Sequence, residues 1–438
     1  MNSSDLRRGS SHAKIPGSLF VKILLVFGTR PEAIKMAPII RAARRSPHLD
    51  VRVCVTGQHR ELLDQALNFF CICPDHDLSV MHHNQDLNSL TARILSGLRP
   101  VLIAERPDLV LVQGDTISAF AASLAAFFEH IPVGHVEAGL RTNDLSSPFP
   151  EEAMRQMITR LAALHFVPTQ ANVDTLLKEG VIPRSIHLTG NPGIDAVLWT
   201  RNKVRHSRVH PLTAYVSVSD LRRIEQSDHI VLVTAHRREN FGAGLRDLCD
   251  AVSQIAGGHP TTAIVFPVHP NPNIQGPVHA ELDCFRNVLL LPPLDYPAFV
   301  HLMDASSCIV TDSGGVQEEA PALGKPVIVA RANTERMESI STGTTCLTGT
   351  DIRDIVSAAD EILRLPKTSN VTTPASSPFG DGFAAEKIVR IIEQQTFAED
   401  RTTASLQALI AALGLATGPG VKNEPLGQHV SSQTELRN

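Results

Sequence analysis

The stretch SLFVKILLVFGTRPE, residues 18–32, decides how the chain folds. Its apolar run from Val21 to Phe27 carries Lys22 and ends on Gly28. A run that is continuous rather than alternating is what a strand buried on both faces requires. Gly28 lets the backbone turn tightly and Pro31 suits a first helical position, so AIKMAPIIRAARR (33–45) is expected to be the helix that follows. Arg7 and Arg8 ahead of the run imitate a signal peptide, yet Lys22 and the lack of a small-residue cleavage site favour a buried first strand.

The same rhythm continues outward. Strands are expected at 51–55, 109–113, 132–136, 164–167 and 186–189, then at 230–235, 262–268, 287–291, 308–311 and 326–330. Amphipathic stretches such as AFAASLAAFFEH and EEAMRQMITRLAAL separate them. Buried strands alternating with helices define an α/β chain with parallel sheets covered on both faces. The polar stretch 199–228 breaks the rhythm, so a boundary is expected near residue 198. The organisation is then an N-terminal extension (1–20), two Rossmann-like doubly wound domains (21–198 and 199–380) facing a cleft, and a helix within 381–397 that could return to either half. A tail (398–438) rich in Thr, Ser, Gln and Gly completes the chain, and both ends are expected to be disordered. No internal repeat is present.

Composition narrows the function. The 438 residues hold 40 Lys and Arg against 45 Asp and Glu, a net charge of −5, with no basic excess to coat a nucleic acid. No stretch approaches the roughly 20 uncharged apolar residues of a membrane span. Seven cysteines, an odd number at irregular spacing, read as thiols in a reducing compartment, hence a cytoplasmic protein.

Chemistry is concentrated where strands end. Arg30 and Lys35 follow the first strand at a helix start whose free N–H groups suit an anion, although an ordinary cap would satisfy that stretch alone. Gly114-Asp115-Thr116 and His135–Leu140 (HVEAGL) follow two more strands, aiming Asp115 and Glu137 at one crevice. Glu151 and Glu152, after Pro150, open a helix where acidic residues also simply favour the dipole. Three acidic positions near one crevice make a general acid/base set. In the second half, His236 and Arg237 follow strand 230–235, and His269 follows 262–268. Ser313-Gly314-Gly315 opens a helix as a phosphate cradle, with Glu319 within reach of a ribose diol and Arg336 in the next loop. No GxGxxG follows the first strand, and no GxxxxGK[ST], HExxH, paired CxxC or GxSxG occurs, so dinucleotide, P-loop, zinc and nucleophile-elbow chemistries are unsupported. The residues alone point to a nucleotide-sugar enzyme without naming its reaction.

From Lys22 to about residue 395, FGTRPEAIKMAPII, GQHRELLDQAL, GDT, HVEAGLRT, SPFPEEAMRQ, HRREN, PVHPNPN and TDSGGVQEEAPALGKPV occur in an order and spacing that resemble the non-hydrolysing UDP-N-acetylglucosamine 2-epimerases. The resemblance implies a glycosyltransferase-B type fold and a homodimer. It implies interconversion of UDP-GlcNAc and UDP-ManNAc for polysaccharide synthesis, with no added cofactor, no metal and no nucleic-acid or membrane partner. The implied route is anti elimination of UDP to 2-acetamidoglucal, then re-addition. Asp115, Glu137, Glu151 and His236 match the catalytic residues. Arg30, Lys35, Ser313, Gly314, Gly315, Glu319 and Arg336 match the UDP site, and Phe299 an aromatic near the uracil. Gln58, Arg237 and His269 match a second, allosteric nucleotide-sugar site, while Glu61 and Asn84 depart from activator-dependent members and Leu294 replaces a frequent Gln. A hydrolysing epimerase, a glycosyltransferase and a UDP-sugar-binding regulator are the rival readings.

Overall fold

The computed structural model describes residues 20–58, 60–82, 86–235, 242–331, 334, 336–341, 343–366 and 377–395. His236, Arg237, Asn84 and the two terminal extensions apart from Phe20 lie outside the described residues.

One sheet holds β1 (Val21–Phe27), β2 (Leu49–Val55), β3 (His76–Asp77), β4 (Leu109–Gln113), β5 (Val133–Val136), β6 (Leu164–Val167) and β7 (Ile186–Leu188) in the order β3-β2-β1-β4-β5-β6-β7. The other holds β8 (Ile230–Thr234), β9 (Ala263–Pro267), β10 (Val288–Leu291), β11 (Cys308–Thr311), β12 (Val327–Val329) and β13 (Thr345–Leu347) in the order β10-β9-β8-β11-β12-β13. All pairs are parallel. The two Rossmann-like domains flank a cleft, as expected. Each expected strand is present, but the edge strands β3 and β13 were not anticipated. Both are two or three residues long and partly exposed, so neither carries a buried apolar run.

Helices follow the strands: α1 (Arg30–Ala43), α2 (Arg60–Phe70), α3 (Leu87–Glu105), α4 (Ile117–Phe128), α5 (Glu151–Leu161), α6 (Gln170–Lys178) and α7 (Pro192–Arg205) in the first half. The second half has α8 (Val218–Gln226), α9 (Ala243–Gly258), α10 (Pro272–Leu282), α11 (Tyr296–Ala305), α12 (Gly314–Ala322), α13 (Met337–Ser341), α14 (Ile352–Leu363) and α15 (Ala384–Glu393). Ile23 to Phe27 are fully buried because helices cover both faces of β1. No helix among the described residues is long and apolar enough to cross a membrane.

Residue 198 falls inside α7, which packs on α1 of one domain and on α11 and α12 of the other. The chain then returns. Asn191 N–H donates to Phe379 C=O at 2.6 Å, and Gly190 and Gly380, both at positive φ, pack so that a Cβ on either would come within 3.0–3.2 Å of the other's Cα. α15 packs against α1 and α7, so the last helix belongs with the first half. Asp195 on α7 fixes it by accepting N–H groups of Ala384 and Ala385 at 3.2 and 2.9 Å.

Candidate active site

Strand order reverses between β1 and β4 in one sheet and between β8 and β11 in the other. Loops leaving such a pair diverge, opening a crevice at the carboxyl ends where α/β sheets take their ligands. The loops after β1, β4 and β11 carry GTRPE, Gly114-Asp115-Thr116 and Ser313-Gly314-Gly315.

Gly28 is obligatory at the first of these, since a Cβ would collide with the Thr56 and Ser118 hydroxyls. Buried Glu32 then ties two loops together. It accepts N–H from Gly28 and Thr29 at 3.0 and 2.8 Å and the Thr116 hydroxyl at 2.6 Å. Arg30 reaches across the cleft to the Leu294 carbonyl at 3.3 Å. Burial lowers the Arg30 pKa, and Glu319 and Asp295 partly offset it.

Glu137, just past β5, is held at φ 65° by the turn. A non-glycine residue in that region is uncommon and strained, and such strain is often found at functional sites. Its carboxylate takes two bonds from Lys35 Nζ at 2.7 and 2.6 Å, one from Gln113 and one from the Asn191 amide at 3.4 Å. Burial opposes the charge on Lys35, but Glu137 and Glu318 outweigh it and raise the ammonium's pKa. Asp115 accepts Arg155 Nε at 2.9 Å and Nη2 at 2.5 Å, both on Oδ2. Its side chain keeps 26% of its surface open to the cleft. Burial raises the Asp115 pKa against Arg155, and neighbouring Glu137 adds to the rise. Arg155 is anchored by Glu152 at 3.2 Å, itself wholly buried and fixed by N–H groups of Thr142 and Asn143 at 3.0 and 3.2 Å. Asp115 and Glu137 are thus brought together. Glu151 is half-buried on the first turn of α5.

On the facing wall, Ser313 caps α12 and Gly314 and Gly315 form its first turn. Gly314 is closed over by the Arg336 guanidinium, whereas nothing lies within 4 Å of where a Gly315 Cβ would point. Arg336 Nε donates to Glu318 at 2.5 Å in a buried pair. Burial pushes the Glu319 pKa up to about 8, with Lys35 opposing and Glu318 adding to it. The buried Tyr296 hydroxyl lies beside Glu319 without completing a hydrogen bond among the described residues. Phe299 is half-buried on α11. Gln58, after β2, accepts from the Ser118 hydroxyl at 2.9 Å, and exposed His269, after β9, accepts the Asn271 N–H at 3.2 Å.

Sequence reading missed Gln113, Arg155, Asn191 and Glu318. The first closes a strand, and the Asn191–Pro192 pair resembles an ordinary helix start. Glu318 stands beside the more conspicuous Glu319, and Arg155 lies one turn past the acidic pair. Only contacts between distant segments separate them from packing residues. An acidic pair facing a helix start and buried cations across a cleft can move a proton on a bound anionic ligand while the cations hold its negative charge.

Residues 41–393 match the family model described as UDP-N-acetylglucosamine 2-epimerase. The chain is 48% identical over 376 residues to UDP-N-acetylglucosamine 2-epimerase of Escherichia coli K12, covering 85% of this chain and 98% of that one. Among solved structures it resembles UDP-GlcNAc 2-epimerase from Neisseria meningitidis bound to UDP-GlcNAc (TM-score 0.77, 42% identity, 86% of this chain and 100% of that one). It also resembles the Methanocaldococcus jannaschii UDP-GlcNAc 2-epimerase in complex with UDP-GlcNAc and UDP (TM-score 0.72, 30% identity, 86% and 100%).

Proposed function

Because the chain belongs to the non-hydrolysing UDP-N-acetylglucosamine 2-epimerase family, a family of isomerases, we propose that it interconverts UDP-GlcNAc and UDP-ManNAc by elimination and re-addition of UDP. The carrying observation is that Asp115 and Glu137 converge on the cleft that the first turn of α12 and Arg336 border from the other domain.

The C2 proton has no adjacent carbonyl to acidify it, so direct abstraction is slow. Removing it as the C1–O bond to UDP breaks, on opposite faces, gives 2-acetamidoglucal with a C1–C2 double bond. UDP then adds back at C1, and a proton enters C2 from the other face. Atoms and electrons balance, and no redox cofactor is required. Glu137, paired with Lys35, is the proposed proton acceptor. Asp115, its Oδ2 filled by Arg155, turns its other oxygen to the sugar. Glu151 and His236 complete the proposed set. Arg30, Lys35, Arg336 and the first-turn N–H groups of Gly314 and Gly315 stabilise the diphosphate, Glu319 takes the ribose and Phe299 flanks the uracil. Gln58, Arg237 and His269 are proposed for a second nucleotide sugar.

The proposed protein is a cytoplasmic homodimer with the domain boundary near residue 198, supplying UDP-ManNAc for polysaccharide. Its seven cysteines are free. Exposed Phe127 and Phe128 on α4 and exposed Ile103 on α3, a helix that packs against α4, suit a face for a second copy. NMR of UDP-GlcNAc incubated with the protein in D2O tests the reaction. UDP-ManNAc should appear with deuterium at C2 in both sugars. Free ManNAc would favour the hydrolysing rival, and turnover without deuterium would sink the elimination route.

A further inference from the structure

Asn191 stands where the two halves of the site meet. It is fully buried, and its backbone N–H is bonded to Phe379 C=O at the point where the chain returns to the first domain. Its side-chain oxygen accepts the Gly193 N–H at 2.8 Å and so caps α7. That bond settles the orientation of the amide. Both hydrogens of Nδ2 must then point the other way, toward Glu318 Oε2 at 2.5 Å and Glu137 Oε1 at 3.4 Å. One amide group therefore bridges a carboxylate of each domain. Beyond Glu137 lies Lys35, and beyond Glu318 lies Arg336, which covers Gly314.

A chain of this kind has no slack. Two carboxylates this close repel, and burial makes each costly unless its oxygens are filled. The neutral amide supplies a donor to both without adding charge, which neither a carboxylate nor an aliphatic side chain can do. When a diphosphate draws Arg336 or Lys35 toward itself, Glu318 or Glu137 loses part of its cation. Gln113 still holds Glu137, and the Asn191 amide is the group that keeps the two carboxylates joined.

We infer that Asn191 is a positioning residue that aligns Glu137 for proton transfer and ties that alignment to occupancy of the phosphate cradle on α12. The inference rests on the epimerase reading.

Asn191→Asp separates the roles. An aspartate caps a helix as well as asparagine does, so α7 keeps its start, but an ionised carboxylate offers no donor. Placed between Glu137 and Glu318, near Lys35 and Arg336, the new acid gains a proton as pH falls and then donates to one of the two carboxylates where the amide served both. The expected result at pH 8.5 is a kcat at least about 30-fold below wild type, with UDP affinity within about fivefold. The deficit in kcat should shrink steadily as pH is lowered to 6. Asn191→Ser, which keeps a cap oxygen and one donor, should fall between the two and serves if the aspartate variant does not fold. A kcat within threefold of wild type in the folded variant overturns the inference, as does a deficit that is constant with pH or that tracks the fraction unfolded. Wild type that converts no UDP-GlcNAc in the same assay overturns the epimerase reading itself, a separate outcome.

Discussion

Two adjacent glycines, Gly314 and Gly315, should respond to alanine in opposite ways. At Gly314 the new Cβ would lie 2.7 Å from Arg336 Nη1, 2.8 Å from Cζ and 3.1 Å from Nη2, so the whole guanidinium plane is in the way. Reaching an ordinary contact of about 3.6 Å requires a retreat of about 0.9 Å. Arg336 holds Glu318 at 2.5 Å with side chains only 8% and 4% exposed, so the retreat stretches or tilts a buried ion pair. Breaking such a pair outright costs about 3–5 kcal/mol, and overpacking that merely loosens it about 1–3 kcal/mol. Alanine returns up to about 1 kcal/mol through helix propensity, leaving Gly314→Ala destabilised by about 0–2 kcal/mol. At Gly315 the methyl meets open space, so the propensity gain stands alone. The propensity gain is common to both, so the variants should differ by the overpacking cost, about 1–3 kcal/mol, in urea unfolding, followed by fluorescence of the single tryptophan, Trp199. Both should bind UDP more weakly, Gly314→Ala because Arg336 moves and Gly315→Ala because its methyl enters the cradle. Equal stabilities would refute the packing argument. Undiminished UDP affinity in Gly315→Ala would remove the α12 start from the diphosphate site.

Arg155→Lys keeps a cation beside Glu152 but not the paired N–H groups on Asp115, so kcat should drop at least about tenfold while most stability remains. Arg155→Met should also lose about 3–5 kcal/mol, because Glu152 stays buried without its cation; a fully active lysine variant would show that the fork does not orient Asp115. With its pKa pushed up to about 8 by burial, Glu319 holds its proton at pH 7. If the carboxylate is the form that receives the ribose hydroxyls, UDP affinity rises from pH 7 to 9. Titration calorimetry in two buffers should then show proton release that Glu319→Gln abolishes, and identical release in wild type and variant would refute it. Burial raises Asp195 to about 6 from its usual 3.8 even though it accepts two backbone N–H groups. The native state keeps that proton where the unfolded chain has lost it, so this group's contribution to stability falls as pH climbs from about 4 to 6 and is constant above. Asp195→Asn should remove that slope from the melting temperature against pH, and a wild-type slope of opposite sign would contradict the assignment.

The strands were legible because burial on both faces forces a continuous apolar run, and the loops because glycine and proline mark where such runs turn. β3 and β13 escaped because each is two or three residues long and partly exposed, so neither carries a continuous apolar run. The site was legible to the same depth. Asp115, Glu137 and the Ser313-Gly314-Gly315 turn are announced by strand ends, a local feature. What orients them is not local: Arg155 is 40 residues from Asp115, Asn191 is 54 from Glu137 and 127 from Glu318. Each partner looks unremarkable in its own segment, since Arg155 sits mid-helix and Asn191 is an ordinary cap. The destination of α15 was hidden for the same reason, because Asp195 binds it from 189 residues away. The two classes should therefore fail differently. On the proposed assignment, a change at a strand-end residue removes a group that meets substrate, whereas a change at Arg155 or Asn191 leaves every such group present but misaligned. Variants of the second class are then expected to retain UDP affinity while losing kcat. Parallel loss of affinity and kcat in both Arg155→Lys and Asn191→Ser would mean that these residues build the cleft rather than aim what lies in it.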